Sequence, residues 1–165
     1  MCRAAAAAAP ITKWRSAVRI GRSGAVLEPA NGAFDVTVTP GVDVQAAVDK
    51  CPPGGCVLLL PGTHHGSLSL LAEKKVHVFG RGRATLWPER HFLLQSEADT
   101  STCDGLVLGR EHGDFGMGNC VVVSGGGLRL QSCDVRSMAA ARSIIVMGGA
   151  DPVLASCRCE WGGAS

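Results

Sequence analysis

The densest cluster of titratable side chains in this sequence is Glu111, His112 and Asp114. A carboxylate next to a histidine can orient the imidazole for general acid or general base catalysis. The cluster falls in a glycine-rich segment between two apolar runs, a composition typical of a solvent-exposed loop. Because loops on a rigid scaffold often carry function, these three residues are the candidate catalytic group, although a simple solvated loop is the default interpretation.

A second group of residues that could do chemistry is basic and consists of Lys74, Lys75, Arg81 and Arg83. On one surface these side chains could bind an acidic sugar or a protein carboxylate, because arginine binds carboxylates through two parallel hydrogen bonds. The alternative is that they are charged residues at turns, which keep the edge of a sheet soluble. We take the four residues as the candidate binding group.

Histidines and cysteines are the remaining candidates for metal or redox chemistry. The eight cysteines form no CxxC pair, and a zinc site would need such short paired spacings with histidines at matching intervals. His64 and His65 follow a Pro-Gly corner, where we expect one ring to point inward and the other outward. The sequence therefore predicts no metal site and no cofactor, and most cysteines are expected to be buried thiols. Cys51 and Cys56 could form a disulfide if the protein were exported.

The distribution of charge restricts the partners of the chain. The net charge is +2, but residues 1–27 hold five basic residues and no acidic ones, which leaves 11 basic against 14 acidic residues in the rest. Binding to nucleic acid is disfavoured, because a surface that follows a phosphate backbone needs clustered lysine and arginine. No apolar stretch approaches the length of about 20 residues that a transmembrane helix needs, so no membrane partner is expected.

Residues 1–34 are expected to be an N-terminal extension that is either disordered or a targeting segment. Residues 4–9 are all alanine, and Ile11, Trp14 and Val18 recur at helical spacing among arginines. This composition resembles an organelle transit peptide, and the alternative is an extension without a signal. The cytoplasm is the default compartment, with organelle import as the alternative.

A repeated pattern near the end of the chain indicates the fold. The dipeptide Ser-Cys occurs twice, ending at Cys133 and Cys157, 24 residues apart, and each copy follows a β-branched run. A repeat of this length is typical of one coil of a solenoid. We therefore expect like residues to stack inside the coil, with Leu130 on Leu154 and Cys133 on Cys157.

Short apolar runs bounded by turn residues continue this pattern along the chain, and the runs between them alternate strictly between apolar and polar residues. Each coil is therefore expected to hold two or three short strands that pair in parallel with those of the next coil. An antiparallel sandwich would also suit short strands, but only Asn31-Gly32 and Asp104-Gly105 could form its tight hairpins. Leucine-rich repeats are excluded, since their leucine spacing does not occur.

A short helix is expected to close the N-terminal end of the solenoid. Asp43 can cap this helix, and Val44, Ala47 and Val48 share one of its faces. The Pro-Pro-Gly-Gly run at 52–55 then ends it. Such a helix would cover the apolar core and the unpaired strand edges that an open end exposes.

Several segments resemble right-handed parallel β-helix proteins of the pectin-lyase-like superfamily. Residues 44–49 (VQAAVD) and 53–63 (PGGCVLLLPGT) look like the capping helix, first strand and corner of those proteins. Residues 149–154 (GADPVL), followed by Cys-Arg-Cys, resemble the coils of F-box-linked, carbohydrate-binding and sugar-hydrolase-like β-helix repeats. The resemblance implies an all-β domain over residues 35–165, a right-handed parallel β-helix with a short N-terminal capping helix, and we expect it to be truncated at its C-terminal end.

The superfamily includes polysaccharide lyases and polygalacturonases, but this chain departs from their active sites. The Asn-Thr-Asp, Asp-Asp, Gly-His-Gly and Arg-Ile-Lys motifs of polygalacturonases do not occur, and the acidic residues are scattered singly. The resemblance therefore favours a noncatalytic repeat module that binds a protein or a carbohydrate. Two alternatives stay open: a polysaccharide lyase or glycoside hydrolase that uses Glu111, His112 and Asp114, and a structural repeat segment of a larger protein.

Overall fold

The computed structural model describes residues 18–20, 26–29, 33–87, 92–97, 101–109, 119–137 and 143–161. These residues form mainly short strands. In chain order the elements are β1 (Val18–Ile20), β2 (Val26–Pro29), β3 (Val36–Val38), α1 (Val44–Lys50), β4 (Cys56–Leu59), β5 (Gly62–His65), β6 (Leu68–Leu70), β7 (His77–Trp87), β8 (Phe92–Ser96), β9 (Thr102–Gly109), β10 (Asn119–Val123), β11 (Arg129–Gln131), β12 (Asp134–Ser137), β13 (Ile144–Val146), β14 (Val153–Ala155) and β15 (Arg158–Trp161).

From β3 onward the strands wind into a parallel β-solenoid of about four turns, which confirms the expected fold class. We divide its sides into three sheets. Sheet 1 consists of β3, β4, the first parts of β7 and β9, β11 and β14. Sheet 2 consists of β5, the second parts of β7 and β9, β12 and β15. Sheet 3 consists of β6, β8, β10 and β13. The right-handed winding stays a prediction of the resemblance.

Apolar residues stack in rows inside the solenoid because neighbouring coils pair in parallel with matched registers. In sheet 1, Val57 pairs with Val78, Val78 with Cys103, Cys103 with Leu130 and Leu130 with Leu154. The first four of these residues are almost completely buried. Since side chains alternate between the two faces of a strand, a slip of one residue would expose the whole row. Burial of this row therefore keeps the coils in register, and the predicted stacking of Leu130 on Leu154 is confirmed.

The two longest strands, β7 and β9, run through the corner between sheets 1 and 2. Their pairing shifts register between Phe79 and Ala84, where β7 holds the larger number of residues. From the sequence we predict a strand at 76–79 that ends at Gly80, because Gly80-Arg81-Gly82-Arg83 has the composition of a turn. The structure shows instead that the strand continues through this segment to Trp87, because residues 84–87 pair with β5.

Helix α1 closes the N-terminal end of the solenoid, as predicted. The side chain of Asp43 accepts a hydrogen bond from the backbone N–H of Ala46 at 3.1 Å, which satisfies a free donor of the first turn. Val44, Ala47 and Val48 are buried and belong to the main core. The apolar face that the sequence pattern assigns to the helix is therefore the face that covers the first coils.

The side chain of Gln45 completes the cap by pairing with the free edge of sheet 3. Its Oε1 accepts from the backbone N–H of Ser69 at 2.7 Å, and its Nε2 donates to the Ser69 carbonyl at 3.2 Å. These two bonds have the donor and acceptor order of a neighbouring strand. Strand β6, the first of sheet 3, thus has hydrogen-bond partners on the side where no strand precedes it.

The N-terminal extension contributes one described feature. Strands β1 and β2 pair antiparallel with each other. Val18, which the sequence places at helical spacing, lies in β1 rather than in a helix. Among the described residues, no helix has both the length and the apolar character needed to cross a bilayer.

Candidate functional site

A groove of about 470 Å³ lies on the outer face of sheet 2. It is lined by Thr63, Thr85 and Val107, which are aligned with one another in β5, β7 and β9. Since neighbouring strands lie about 4.8 Å apart, this row spans about 10 Å along the solenoid. The register of the coils therefore places two hydroxyl groups and an apolar side chain in one continuous line.

An aromatic side chain forms part of the groove. Trp87 lines it and is half-buried, and its indole lies beside the imidazole of His65, with 5.9 Å between ring centroids and 47° between ring planes. The two residues are aligned in β5 and β7, so the same pairing that aligns the threonines also aligns the rings. Gly109, at the end of β9, also lines the groove and leaves space beside the indole side chain.

Arg83 brings a positive charge to the groove. It is exposed, and its φ of 68° lies in the left-handed region that few residues other than glycine adopt. Backbone strain of this kind costs on the order of 1–3 kcal/mol and is concentrated at ligand-binding positions. The strained backbone of Arg83 therefore draws attention to the same groove that its side chain lines.

The outer face of sheet 2 continues past the groove as a network of ion pairs. Asp134, which is aligned with Val107, accepts a hydrogen bond from Nε of Arg136 at 2.9 Å. Arg136 also lies 4.0 Å from Glu160, which pairs in turn with Arg158. These charges largely neutralise one another, whereas the groove residues include a cation and no carboxylate.

The structure separates the four basic residues of the candidate binding group. The ammonium of Lys74 donates to the backbone carbonyl of Asp49 at the end of α1, a contact that stabilises the cap. Lys75 is exposed, and the guanidinium of Arg81 lies 5.5 Å from the ring centre of Phe34. The fourth residue alone of this group lines the groove described above.

The candidate catalytic residues Glu111, His112 and Asp114 lie outside the described residues, so their role stays a prediction. The histidine pair behaves as expected. His64 is fully buried and its Nε2 donates to the carbonyl of Leu60 at 2.9 Å, whereas the neighbouring histidine is exposed. A neutral imidazole that donates through Nε2 has its acceptor at Nδ1, and this atom has no hydrogen-bond partner among the described residues. His64 therefore belongs to the core.

Most of the described cysteines are buried thiols, as expected. Burial raises the pKa of Cys51 to about 11 and the pKa values of Cys56, Cys103 and Cys120 to about 12. These thiols are protonated at neutral pH and are poor nucleophiles and poor metal ligands. Cys51 and Cys56 are free, so the disulfide alternative is not formed in this structure. The described residues contain no group of three or more histidine, cysteine or acidic side chains placed to hold a metal ion.

Comparison with protein-family models, with curated proteins and with solved structures finds no match for this chain. These comparisons give no support to the pectin-lyase-like or F-box-linked resemblance. The parallel β-solenoid is shown by the strand pairings alone.

Sequence reasoning missed most of the groove. Thr63, Thr85, Trp87 and Val107 carry no motif, and they meet only because three coils stack. A signal was nevertheless present: Val57 and Val78 are aligned 21 residues apart, and the threonines are aligned 22 residues apart. Applying the coil length to every outward position would have placed the two threonines side by side.

Proposed function

We propose that this chain is a noncatalytic β-solenoid module that binds an acidic carbohydrate in the groove on the outer face of sheet 2. The observation that carries the proposal is the combination of Arg83, Trp87 and two threonine hydroxyls in one groove. An indole packs against the apolar face of a sugar ring, and hydroxyl groups can both donate to and accept from sugar hydroxyls. A guanidinium favours a sugar that carries a carboxylate.

The groove supports binding better than it supports bond cleavage. Glycoside hydrolysis ordinarily uses two carboxyl groups on opposite sides of the scissile bond. The residues that line the groove include arginine, tryptophan, threonine, valine and glycine, and no carboxylate. The lyase or hydrolase alternative would need Glu111, His112 and Asp114 to reach a sugar bound there. The resemblance to pectin-lyase-like β-helices, with its right-handed winding, belongs to this proposal as well.

Calorimetric titration with a uronic acid oligosaccharide and with its neutral, carboxyl-reduced counterpart tests the proposal. We expect the acidic oligosaccharide to bind at least about tenfold more tightly, and we expect added salt to weaken its binding. Arg83→Gln should weaken binding of the acidic sugar about tenfold or more, because a hydrogen bond to a charged group contributes about 1.5–3 kcal/mol.

Arg129→Gln is the matched control, since Arg129 pairs with Thr102 and Val153 in sheet 1 rather than in sheet 2. It removes the same charge and should leave the affinity unchanged. Equal binding of the two oligosaccharides, or equal losses in the two variants, would overturn the proposal. Release of unsaturated or reducing sugar ends during the titration would show that the module is catalytic.

A further inference from the structure

Cys133 and Cys157 occupy equivalent positions on neighbouring coils. The residues around them are aligned, with Gln131 paired to Ala155 on one side and Asp134 paired to Arg158 on the other. Each sulfur also lies near the carbonyl two residues before it, at 3.2 Å in Cys133 and 3.5 Å in Cys157. The predicted stacking of these two cysteines is therefore confirmed, and both side chains have the same orientation.

The two thiols are in contact with each other, and the Cys133 thiol donates to the sulfur of Cys157. Neighbouring strands lie about 4.8 Å apart, which falls within the range of Cα separations, about 4.4–6.8 Å, that a disulfide can bridge. A bond between these sulfurs therefore needs side-chain rotation and little movement of the backbone.

The surroundings of the two sulfurs differ. Cys133 is 1% exposed, whereas Cys157 is half-buried because it lies in the last described coil. A small solute can thus reach one sulfur, with the other directly behind it. The hydrogen bond from Cys133 lowers the pKa of Cys157, and the same bond together with burial raises the pKa of Cys133. The accessible thiol is accordingly the better nucleophile of the two.

We propose that Cys157 and Cys133 form a peroxide-reactive dithiol, in which Cys157 is the attacking thiol and Cys133 is the resolving thiol. The thiolate of Cys157 attacks a hydroperoxide; a sulfur–oxygen bond forms, the oxygen–oxygen bond breaks, and the leaving oxygen takes a proton. Sulfur is oxidised by two electrons and the peroxide is reduced by two. The Cys133 sulfur then attacks the sulfenic sulfur, a disulfide forms, and hydroxide leaves with the Cys133 proton as water.

A disulfide fits this site better than a metal ion does. A structural metal site needs three or four ligands, and the described residues contain no such group of histidine, cysteine or acidic side chains. Cys159 lies two residues along the same strand from Cys157, where a bond would have to span one extended residue. The stacked partner on the neighbouring coil is the better-placed one.

Peptide mapping by mass spectrometry after treatment of the full chain with one equivalent of hydrogen peroxide tests the proposal. We expect a peptide pair joined through Cys133 and Cys157, with the loss of two hydrogens in mass. The count of free thiols should fall by two from the eight in the chain. A stable sulfenic acid at Cys157, or selective oxidation of Cys159 with dimer formation, would overturn the assignment.

Three variants assign the roles of the two sulfurs. Cys157→Ser should abolish the disulfide, whereas Cys133→Ser should leave a sulfenic acid at Cys157 that dimedone traps. Cys159→Ser is the matched control and should form the Cys133–Cys157 disulfide as the parent chain does. Because the peptide map of the parent chain is decisive by itself, the proposal can be overturned even if a variant folds poorly. Full reactivity of Cys157→Ser at another cysteine would also overturn it.

Discussion

Ser132 and Ser156 turn the same corner of two successive coils, and both have left-handed backbone conformations, with φ of 50° and 53°. In the preceding coil the equivalent position is Gly105, with φ of 68°. The hydroxyl of Ser132 donates to the carboxylate of Asp104, a bond that lowers the pKa of this acid, although burial raises it overall. The sheet 1 to sheet 2 corner is thus built by one backbone conformation repeated along the solenoid.

This corner predicts a large effect of adding a side chain to Gly105. A Cβ at this position would lie 2.6 Å from the carbonyl oxygen of Gly80, in addition to the strain of its positive φ. Gly105→Ala should lower the free energy of unfolding by more than about 2 kcal/mol, as measured by urea denaturation. Gly54→Ala is the control, because Gly54 has φ of 76° and no atom within 4 Å of the added Cβ. Equal losses in the two variants would show that the corner is not as close-packed as described.

The stacked leucines predict a contrast between the interior and the last described coil. Leu130 is 1% exposed and Leu154, aligned with it one coil later, is 44% exposed. Leu130→Ala should cost about 2–5 kcal/mol of stability because it leaves a cavity, whereas Leu154→Ala should cost less than about 1 kcal/mol. Thermal and urea unfolding of both variants check this. A large loss in Leu154→Ala would mean that another surface covers this coil in solution.

The cap predicts that Gln45 contributes to stability through its amide group. Gln45→Met keeps the length of the side chain but removes both hydrogen bonds to the backbone of Ser69, so it should cost about 1–3 kcal/mol. Asp49→Asn is the comparison, since Asp49 also contacts the Gln45 amide but not the strand edge. That variant should change the free energy of unfolding by less than about 0.5 kcal/mol. Similar losses in the two variants would argue against capping of sheet 3 by the amide.

Burial of His77 predicts a loss of stability in mild acid. Its pKa is lowered by burial from the ordinary value of 6.5, and its Nδ1 has no hydrogen-bond partner among the described residues. Below pH 6.5 the unfolded chain therefore binds more protons than the folded protein does, so stability falls as the pH falls. Urea denaturation between about pH 7.5 and about pH 5.5 should show this decline, and His77→Asn should flatten it. An unchanged slope in the variant would assign the decline to other groups.

The parts of this fold that the sequence predicts are those that repeat locally. The Ser-Cys dipeptides ending at Cys133 and Cys157 indicate the coil length, and Asp43 with the apolar face of α1 indicates the cap, because both depend on neighbouring residues. The groove depends on contacts between coils, so Trp87 and Arg83 meet without any shared motif. Grouping basic residues by proximity in sequence selected Lys74, which the structure places at the end of the helix.

The most direct test of the binding face is a nuclear magnetic resonance titration of the isotope-labelled chain with a uronic acid oligosaccharide. The account predicts that amide shifts change along the aligned row of Thr63, Thr85 and Val107 and at the indole N–H of Trp87. Residues on the outer face of sheet 3, such as Val122, should be unaffected. Shift changes confined to sheet 3 or to the segment around Lys75, with the sheet 2 row unmoved, would contradict the account.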